Sequence, residues 1–100
     1  MQSAIQSKLP EVQTLLRQYG VERAFLFGSA ARGDMQNDSD IDILFRFPKS
    51  MHHETYADNF FALEEALREL LKRDVQLVAE ETLRNPYLIQ TIERDKIPLL

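Results

Sequence analysis

Two aspartates one residue apart close a polar loop near the middle of the chain. Asp40 and Asp42 follow the stretch "FGSAARGDMQNDS", in which a Gly-Ser pair ends an apolar run. On a strand, Asp40 and Asp42 would share a face, with Cα atoms roughly 6.5 Å apart at about 3.3 Å per residue. Two like charges at that spacing are relieved by a cation. Mg²⁺ suits the place because it takes oxygen ligands and is usually completed by substrate phosphates.

The Gly28-Ser29 pair predicts a place for phosphate groups. A glycine lets phosphate oxygens approach the backbone, free N–H groups at a helix start favour an anion, and Ser29 adds a hydroxyl donor. Arg32 either reaches a phosphate from the same loop or pairs with Asp34 or Asp38. A covalent role for Ser29 would need an adjacent base, and no histidine is near it in sequence.

These two features together predict a nucleoside triphosphate site with a bound divalent metal. The phosphates would lie on the Gly-Ser pair and the metal on the aspartates, which favours attack by a hydroxyl on the α-phosphate. The candidate catalytic residues are Asp40, Asp42 and Ser29, the candidate nucleotide-binding residues are Gly28, Ser29 and Arg32, and the candidate metal ligands are Asp40 and Asp42.

Two common motifs are excluded because residues that they require are absent. "GSAARG" has the two glycines of a P-loop, but Asp34 and Met35 stand where Lys and Ser or Thr are required. The aspartates also fit the start of a calcium-binding EF-hand loop, but Ile43 replaces its glycine and Lys49 its closing glutamate.

Composition narrows the class of protein. One hundred residues predict a single domain, residues 1–100, and a net charge of −4 makes nucleic acid an unlikely partner. No cysteine is present, no stretch of 18 apolar residues occurs, and the first residues do not read as a targeting signal. We therefore expect a cytoplasmic protein that makes no use of a membrane.

The elements that must position the site follow from periodicity and turn residues. Helical spacing marks the first twenty residues, where Pro10 either breaks a helix or opens a second one, and it marks Glu54 to Lys72 most clearly. The predicted strands are Val21 to Phe27, Asp40 to Phe47 and Asp74 to Val78, and one or two short helices follow them. A turn or short helix is expected at Ser29 to Arg32. This order predicts a small α/β domain in which the first two strands form a hairpin-like pair and the sheet has three or four strands.

The stretch "FLFGSAARGDMQNDSDIDIL" resembles the minimal nucleotidyltransferases of the DNA polymerase β-like superfamily, the antitoxin partners of HEPN-domain toxins. Its Gly-Ser pair, ten intervening residues and Asp-x-Asp match the signature of the superfamily. "LVAEETLRN" and "LIQTIERDKIPLL" are similar to the C-terminal part of the same group. The resemblance implies a small mixed sheet flanked by helices, Mg²⁺-dependent transfer of AMP from ATP, and, in the antitoxin branch, modification of a tyrosine on the toxin.

One position departs from the family. Members have an aspartate as the third carboxylate on the strand after the long helix, where this chain has Gln76. Asp74, two residues earlier on the same face, is the alternative third carboxylate, although a shift of about 6.6 Å exceeds the tolerance of a catalytic site. An amide oxygen carries no charge and cannot take a proton from an attacking hydroxyl.

Three functions therefore stay open. The chain is an adenylyltransferase acting on a HEPN toxin, or an inactive nucleotide-binding antitoxin that masks its partner, or a nucleotidyltransferase for small molecules or RNA ends that borrows its substrate recognition from another subunit. The sequence leaves self-association open as well.

Overall fold

The computed structural model describes residues 3–34 and 39–100. The middle of the polar loop, including Asp38 as a partner for Arg32, lies outside the described residues.

Helices and strands alternate along most of the chain. The helices are α1 (Ser3–Gln6), α2 (Leu9–Gln18), α3 (Ser29–Arg32), α4 (His53–Leu71) and α5 (Pro86–Asp95), with a 3₁₀ turn at Glu80–Thr82. The strands are β1 (Arg23–Phe27), β2 (Ile41–Arg46), β3 (Val75–Ala79) and β4 (Ile97–Pro98).

The four strands form one mixed sheet in the order β3-β2-β1-β4. β1 is antiparallel to β2 and β4, whereas β2 and β3 are parallel. The predicted α/β fold and the hairpin-like pair are therefore confirmed. The sequence left a fourth strand open, and β4 is that strand. Its position was not predicted, since a strand of two residues carries no readable periodicity.

One face of the sheet packs on α2 and α4. The alternate residues of β2, Ile41 and Ile43, are each 1% exposed and point to this core, as predicted. They meet Leu63 and Leu67 of α4, both fully buried. The opposite face of the sheet therefore carries the other residues of β2, among them Asp42.

Helix α5 lies over that opposite face, because its residues and Asp42 line the same cleft. The helix starts at an Asn-Pro pair: the Asn85 side chain accepts hydrogen bonds from the N–H groups of Tyr87 (2.9 Å) and Leu88 (3.3 Å). Pro86 fits the first turn because its missing N–H has no intrahelical acceptor there. Ile92, 3% exposed, holds the helix to the rest of the protein.

The predicted boundaries differ from the structure by one or two residues. β1 begins at Arg23 rather than Val21, and β2 begins after Asp40 and ends before Phe47. Pro10 lies in the first turn of α2, so the N-terminal region forms two helices rather than one. Among the helices of residues 3–34 and 39–100, none combines the length and the apolar character needed to cross a membrane.

Candidate functional site

Gly28 and Asp42 are in direct contact at the end of the β1–β2 pair. Phe27 is the register partner of Asp42, which places the next residue, Gly28, against the aspartate. A Cβ added to Gly28 would lie 2.6 Å from Oδ2 of Asp42. The Gly28 backbone has φ 72° and ψ −151°, a region that only glycine enters without strain. Both the conformation and the neighbour thus require glycine at this position.

The two aspartates differ in their surroundings. Asp40 is exposed and directly precedes β2, whereas Asp42 is half-buried within the strand. Burial, followed by the negative charge of Asp40, raises the pKa of Asp42, and the charge of Arg32 opposes that rise. Because a nearby cation would offset both effects, the pair has the electrostatics of a cation site.

Helix α3 follows Gly28 directly and contains Ser29 and Arg32. Ser29 is half-buried at the start of the helix, and Gly33, with φ 84°, ends it in the left-handed conformation. The Arg32 Nε donates to Oδ2 of Asp34 at 3.3 Å, and both side chains are largely exposed. The ion pair between Arg32 and Asp34, one of the alternatives predicted for Arg32, is therefore present. An ion pair this exposed contributes little to stability.

Gln76 lies beside Asp42. The two residues are register partners on the parallel strands β2 and β3, so their side chains share a face of the sheet. Gln76 is exposed. Asp74 precedes β3 with an exposed side chain, and its carbonyl accepts from the Ile41 N–H at 2.9 Å. The position next to Asp42 is thus occupied by an amide rather than a carboxylate.

A cleft of about 360 Å³ opens beside Asp42. One wall comes from the end of β1, from α3 and from β2, and the other comes from α5. Its lining residues are Phe27, Gly28, Ser29, Arg32, Asp42, Leu88, Thr91, Ile92 and Asp95. The structure therefore brings four of the five predicted residues into one cleft, while Asp40 lies next to Asp42 outside the lining.

The contribution of α5 is what the sequence reasoning missed. Leu88, Thr91, Ile92 and Asp95 recur at steps of three and four, which is the signal of one helix face. That spacing shows a common face but not what the face covers. Only the order of the strands, with β4 returning beside β1, places this helix next to the Gly-Ser pair.

Among the described residues, Asp40 and Asp42 are the adjacent carboxylates of the site, and Asp95 lines the cleft from α5. Within residues 3–34 and 39–100, no group of three or more His, Cys, Asp or Glu side chains is placed to hold a metal.

A second, apolar groove of about 450 Å³ lies between α4 and β3, lined by Tyr56, Phe60, Leu77 and neighbours. This groove is larger, but it contains no titratable group that could perform the predicted chemistry except the Tyr56 phenol.

The fold and this cleft define a nucleotidyltransferase, and the chain belongs to the nucleotidyltransferase domain family, which it matches over residues 9–99. Among its relatives is the protein adenylyltransferase MntA of Thermococcus cleftensis, 34% identical over 86 residues, which span 83% of this chain and 79% of that protein. A candidate protein adenylyltransferase of Methanocaldococcus jannaschii is 33% identical over 97 residues, covering 89% and 95% of the two chains.

Solved structures show the same fold. A candidate minimal nucleotidyltransferase superposes with a TM-score of 0.76 at 32% identity, covering 96% of this chain and 93% of the other. An MNT antitoxin in complex with a tri-AMPylated HEPN toxin of Shewanella oneidensis gives a TM-score of 0.65 at 23% identity, with coverage of 95% and 71%. The predicted relationship to the minimal nucleotidyltransferases is confirmed.

Proposed function

We propose that this chain transfers AMP from ATP to a hydroxyl group on a partner protein, with Mg²⁺ as the metal. The observation that carries the proposal is the contact between Gly28 and Asp42, which joins the phosphate-binding pair to the aspartates in one cleft. The kinship to protein adenylyltransferases supports a protein as the acceptor.

The residues present fit a divalent metal. Asp40 and Asp42 supply carboxylate oxygens, and burial together with the negative charge of Asp40 raises the pKa of Asp42, an effect that a bound cation would offset. These two side chains would hold Mg²⁺, which would neutralise phosphate oxygens and stabilise the leaving pyrophosphate. Gln76 could add a neutral oxygen from the neighbouring strand.

The other residues of the cleft bind and orient the nucleotide. Without a Cβ, Gly28 admits a phosphate oxygen close to the backbone, and Ser29 adds a hydroxyl donor. Arg32 is free to exchange its exposed pairing with Asp34 for a phosphate. In the reaction, the acceptor hydroxyl gives up its proton to water and its oxygen bonds to the α-phosphorus. The bond from that phosphorus to pyrophosphate breaks, and pyrophosphate leaves with the electron pair.

We further propose that the acceptor is a tyrosine of a HEPN-domain toxin and that the transfer neutralises the toxin in the cytoplasm. The fold neighbour solved with a tri-AMPylated HEPN toxin supports this pairing. The purified chain should be incubated with Mg-ATP and a HEPN-domain protein encoded beside it. We expect an AMP-sized mass increase on a tyrosine of the partner.

The matched variants for this assay are Asp42→Asn and Asp58→Asn. Asp58 is an exposed aspartate on α4, away from the cleft, so its variant should modify the partner like the parent chain. Asp42→Asn should abolish the mass increase. A parent chain that leaves the partner unmodified, or an active Asp42→Asn variant, would refute the proposed reaction.

One observation favours a second function, in which the chain neutralises its partner by binding alone. The amide of Gln76 cannot remove the proton from an attacking hydroxyl, so the step that a carboxylate assists is weakened at this position. If masking suffices, a variant carrying both Asp40→Asn and Asp42→Asn should still protect cells from the toxin. Loss of protection by a variant that folds and binds the partner normally would exclude masking as the mechanism.

A further inference from the structure

We propose that the inward face of α5 is the nucleoside subsite, with Leu88 as the residue on which the base and ribose pack. This inference rests on the proposed function and specifies the nucleotide-binding part of the same cleft. It adds a specificity-determining residue on an element that lies far in sequence from the Gly-Ser and Asp-x-Asp motifs.

The cleft changes in character along α5. At its C-terminal end, Asp95 lies within electrostatic range of Arg32, and Arg94 pairs with the same carboxylate through contacts of 3.0 and 3.1 Å. Toward its N-terminal end, the lining consists of Ile92, Thr91 and Leu88. Thr91 is the polar member, and its hydroxyl donates to the Tyr87 carbonyl of the same helix at 2.9 Å, so the apolar surface comes from Ile92 and Leu88. Asp95 lies seven positions after Leu88 along the helix, a rise of roughly 10 Å. One end of the cleft is therefore charged and the other is apolar.

This gradient matches the two halves of a nucleotide. The charged end contains Arg32, Gly28 and Ser29, which suit phosphates, and the negative charge of Asp95 at the same end is paired with Arg94. The apolar end suits an uncharged, flat group that gains by leaving water. Leu88 is 44% exposed, so a large apolar side chain at the rim of the cleft still has surface for a ligand to bury.

The same geometry separates the nucleoside from the acceptor. The cleft lies on the β1 side of Asp42, where Phe27 and α5 form its lining. On the other side, β3 presents the exposed Gln76, a polar residue that is not part of the lining. An acceptor hydroxyl approaching from the β3 side would meet the α-phosphorus without crossing the α5 wall.

The α5 helix offers a matched control for this inference. Leu88 and Ile89 are adjacent, partly exposed apolar residues of the same helix, 44% and 37% exposed, but only Leu88 lines the cleft. The experiment is calorimetric titration of the parent chain, Leu88→Ala and Ile89→Ala with ATP and with inorganic tripolyphosphate, each in the presence of Mg²⁺. Tripolyphosphate reports the phosphate-binding residues alone because it has no nucleoside.

We expect Leu88→Ala to weaken ATP binding by about tenfold, as for the loss of a partly buried leucine contact, and to leave tripolyphosphate binding unchanged. Ile89→Ala should match the parent chain with both ligands. Leu88→Met, which conserves volume, should restore ATP binding and so show that the effect is one of contact rather than of folding.

Each other outcome is decisive. Equal ATP affinity in Leu88→Ala and Ile89→Ala would overturn the nucleoside subsite, and so would an equal loss of ATP and tripolyphosphate binding in Leu88→Ala. These results leave the proposed function standing if the parent chain binds Mg-ATP. A parent chain that binds tripolyphosphate but gains nothing from the nucleoside of ATP would overturn the subsite alone, whereas one that binds neither ligand would refute the proposed function.

Discussion

At the scale of single residues, Gly28 shows how a sequence motif can reflect a steric requirement. The glycine was predicted to let a phosphate approach the backbone, and the structure adds a reason independent of any ligand. Its backbone lies in a region available to glycine, and the place of a side chain is taken by the Asp42 carboxylate. The two halves of the motif are thus joined by a contact as well as by their common chemistry.

Replacing Gly28 should therefore damage both the fold and the site. Gly28→Ala is expected to lower the free energy of unfolding by roughly 1 to 3 kcal/mol for the backbone conformation, with a further loss from the 2.6 Å approach to Asp42. Denaturant titration and Mg-ATP binding measure the two effects. Gly33→Ala is the control, because Gly33 also has a positive φ but a Cβ there would meet nothing within 4 Å. Equal losses in the two variants would show that the Asp42 contact is unimportant.

Gln76 supports a prediction in the opposite direction, a gain. Gln76→Asp would place a third carboxylate in register with Asp42 on the same face of the sheet. We expect tighter metal binding and faster AMP transfer, by about 10²-fold or more if the carboxylate also accepts the proton of the acceptor. Transfer rates at saturating Mg²⁺ would measure this gain. Gln18→Asp adds the same charge at an exposed position of α2 and should change neither metal binding nor the transfer rate. A faster transfer rate in Gln18→Asp would show that the net charge of the protein, rather than the position of the carboxylate, causes the gain.

At the scale of secondary structure, the elements with strong hydrophobic periodicity were predicted from the sequence, and an element without it was not. The long helix α4 was predicted to within one residue at each end because its apolar residues recur over five turns. β4 was missed because its two residues are defined only by their pairing with Phe25 and Leu26 of β1. The same pairing brings α5 to the cleft, so the missed strand and the missed cleft wall have one cause: long-range strand order cannot be read from local spacing.

The N-terminal cap of α5 links this element to the site. Asn85→Ala removes the acceptor for the N–H groups of Tyr87 and Leu88, which should cost about 1 kcal/mol of the free energy of unfolding. Because α5 forms a wall of the cleft, fraying of its first turn should also weaken ATP binding at Leu88. Thermal unfolding and ATP titration test both effects. Asn85→Ser keeps an acceptor oxygen and should retain most of each property, so equal defects in the alanine and serine variants would argue against the cap.

At the scale of the whole molecule, the core and the site make opposing contributions to stability. The face of the sheet toward α2 and α4 is fully buried, and every residue in the buried core of the described chain is apolar. The opposite face holds a half-buried aspartate whose charge is opposed by burial and by Asp40. A functional site of this kind reduces the stability of the free protein, and ligand binding restores that stability.

The pH dependence of stability should reveal this cost. The pKa of Asp42 is raised in the folded state, so the folded chain holds this proton to higher pH than the unfolded chain does. The free energy of unfolding therefore falls as pH rises from the ordinary carboxyl pKa through the raised value. Asp42→Asn should therefore be more stable than the parent chain at neutral pH without metal, by at most about 1 kcal/mol since water screens a half-exposed charge. At pH values below the ordinary carboxyl pKa the parent and the variant should converge.

Mg-ATP should reverse that order. A ligand that binds only the folded protein adds about 1.4 kcal/mol to the free energy of unfolding at ten times its dissociation constant. The parent chain should gain this stability and Asp42→Asn should not, so the ranking measured by denaturant titration at neutral pH is expected to invert on addition of Mg-ATP. Asp58→Asn, changed at an exposed aspartate of α4, should follow the parent chain throughout. If Asp42→Asn gains as much stability from Mg-ATP as the parent chain, Asp42 does not hold the metal, whatever the geometry around it.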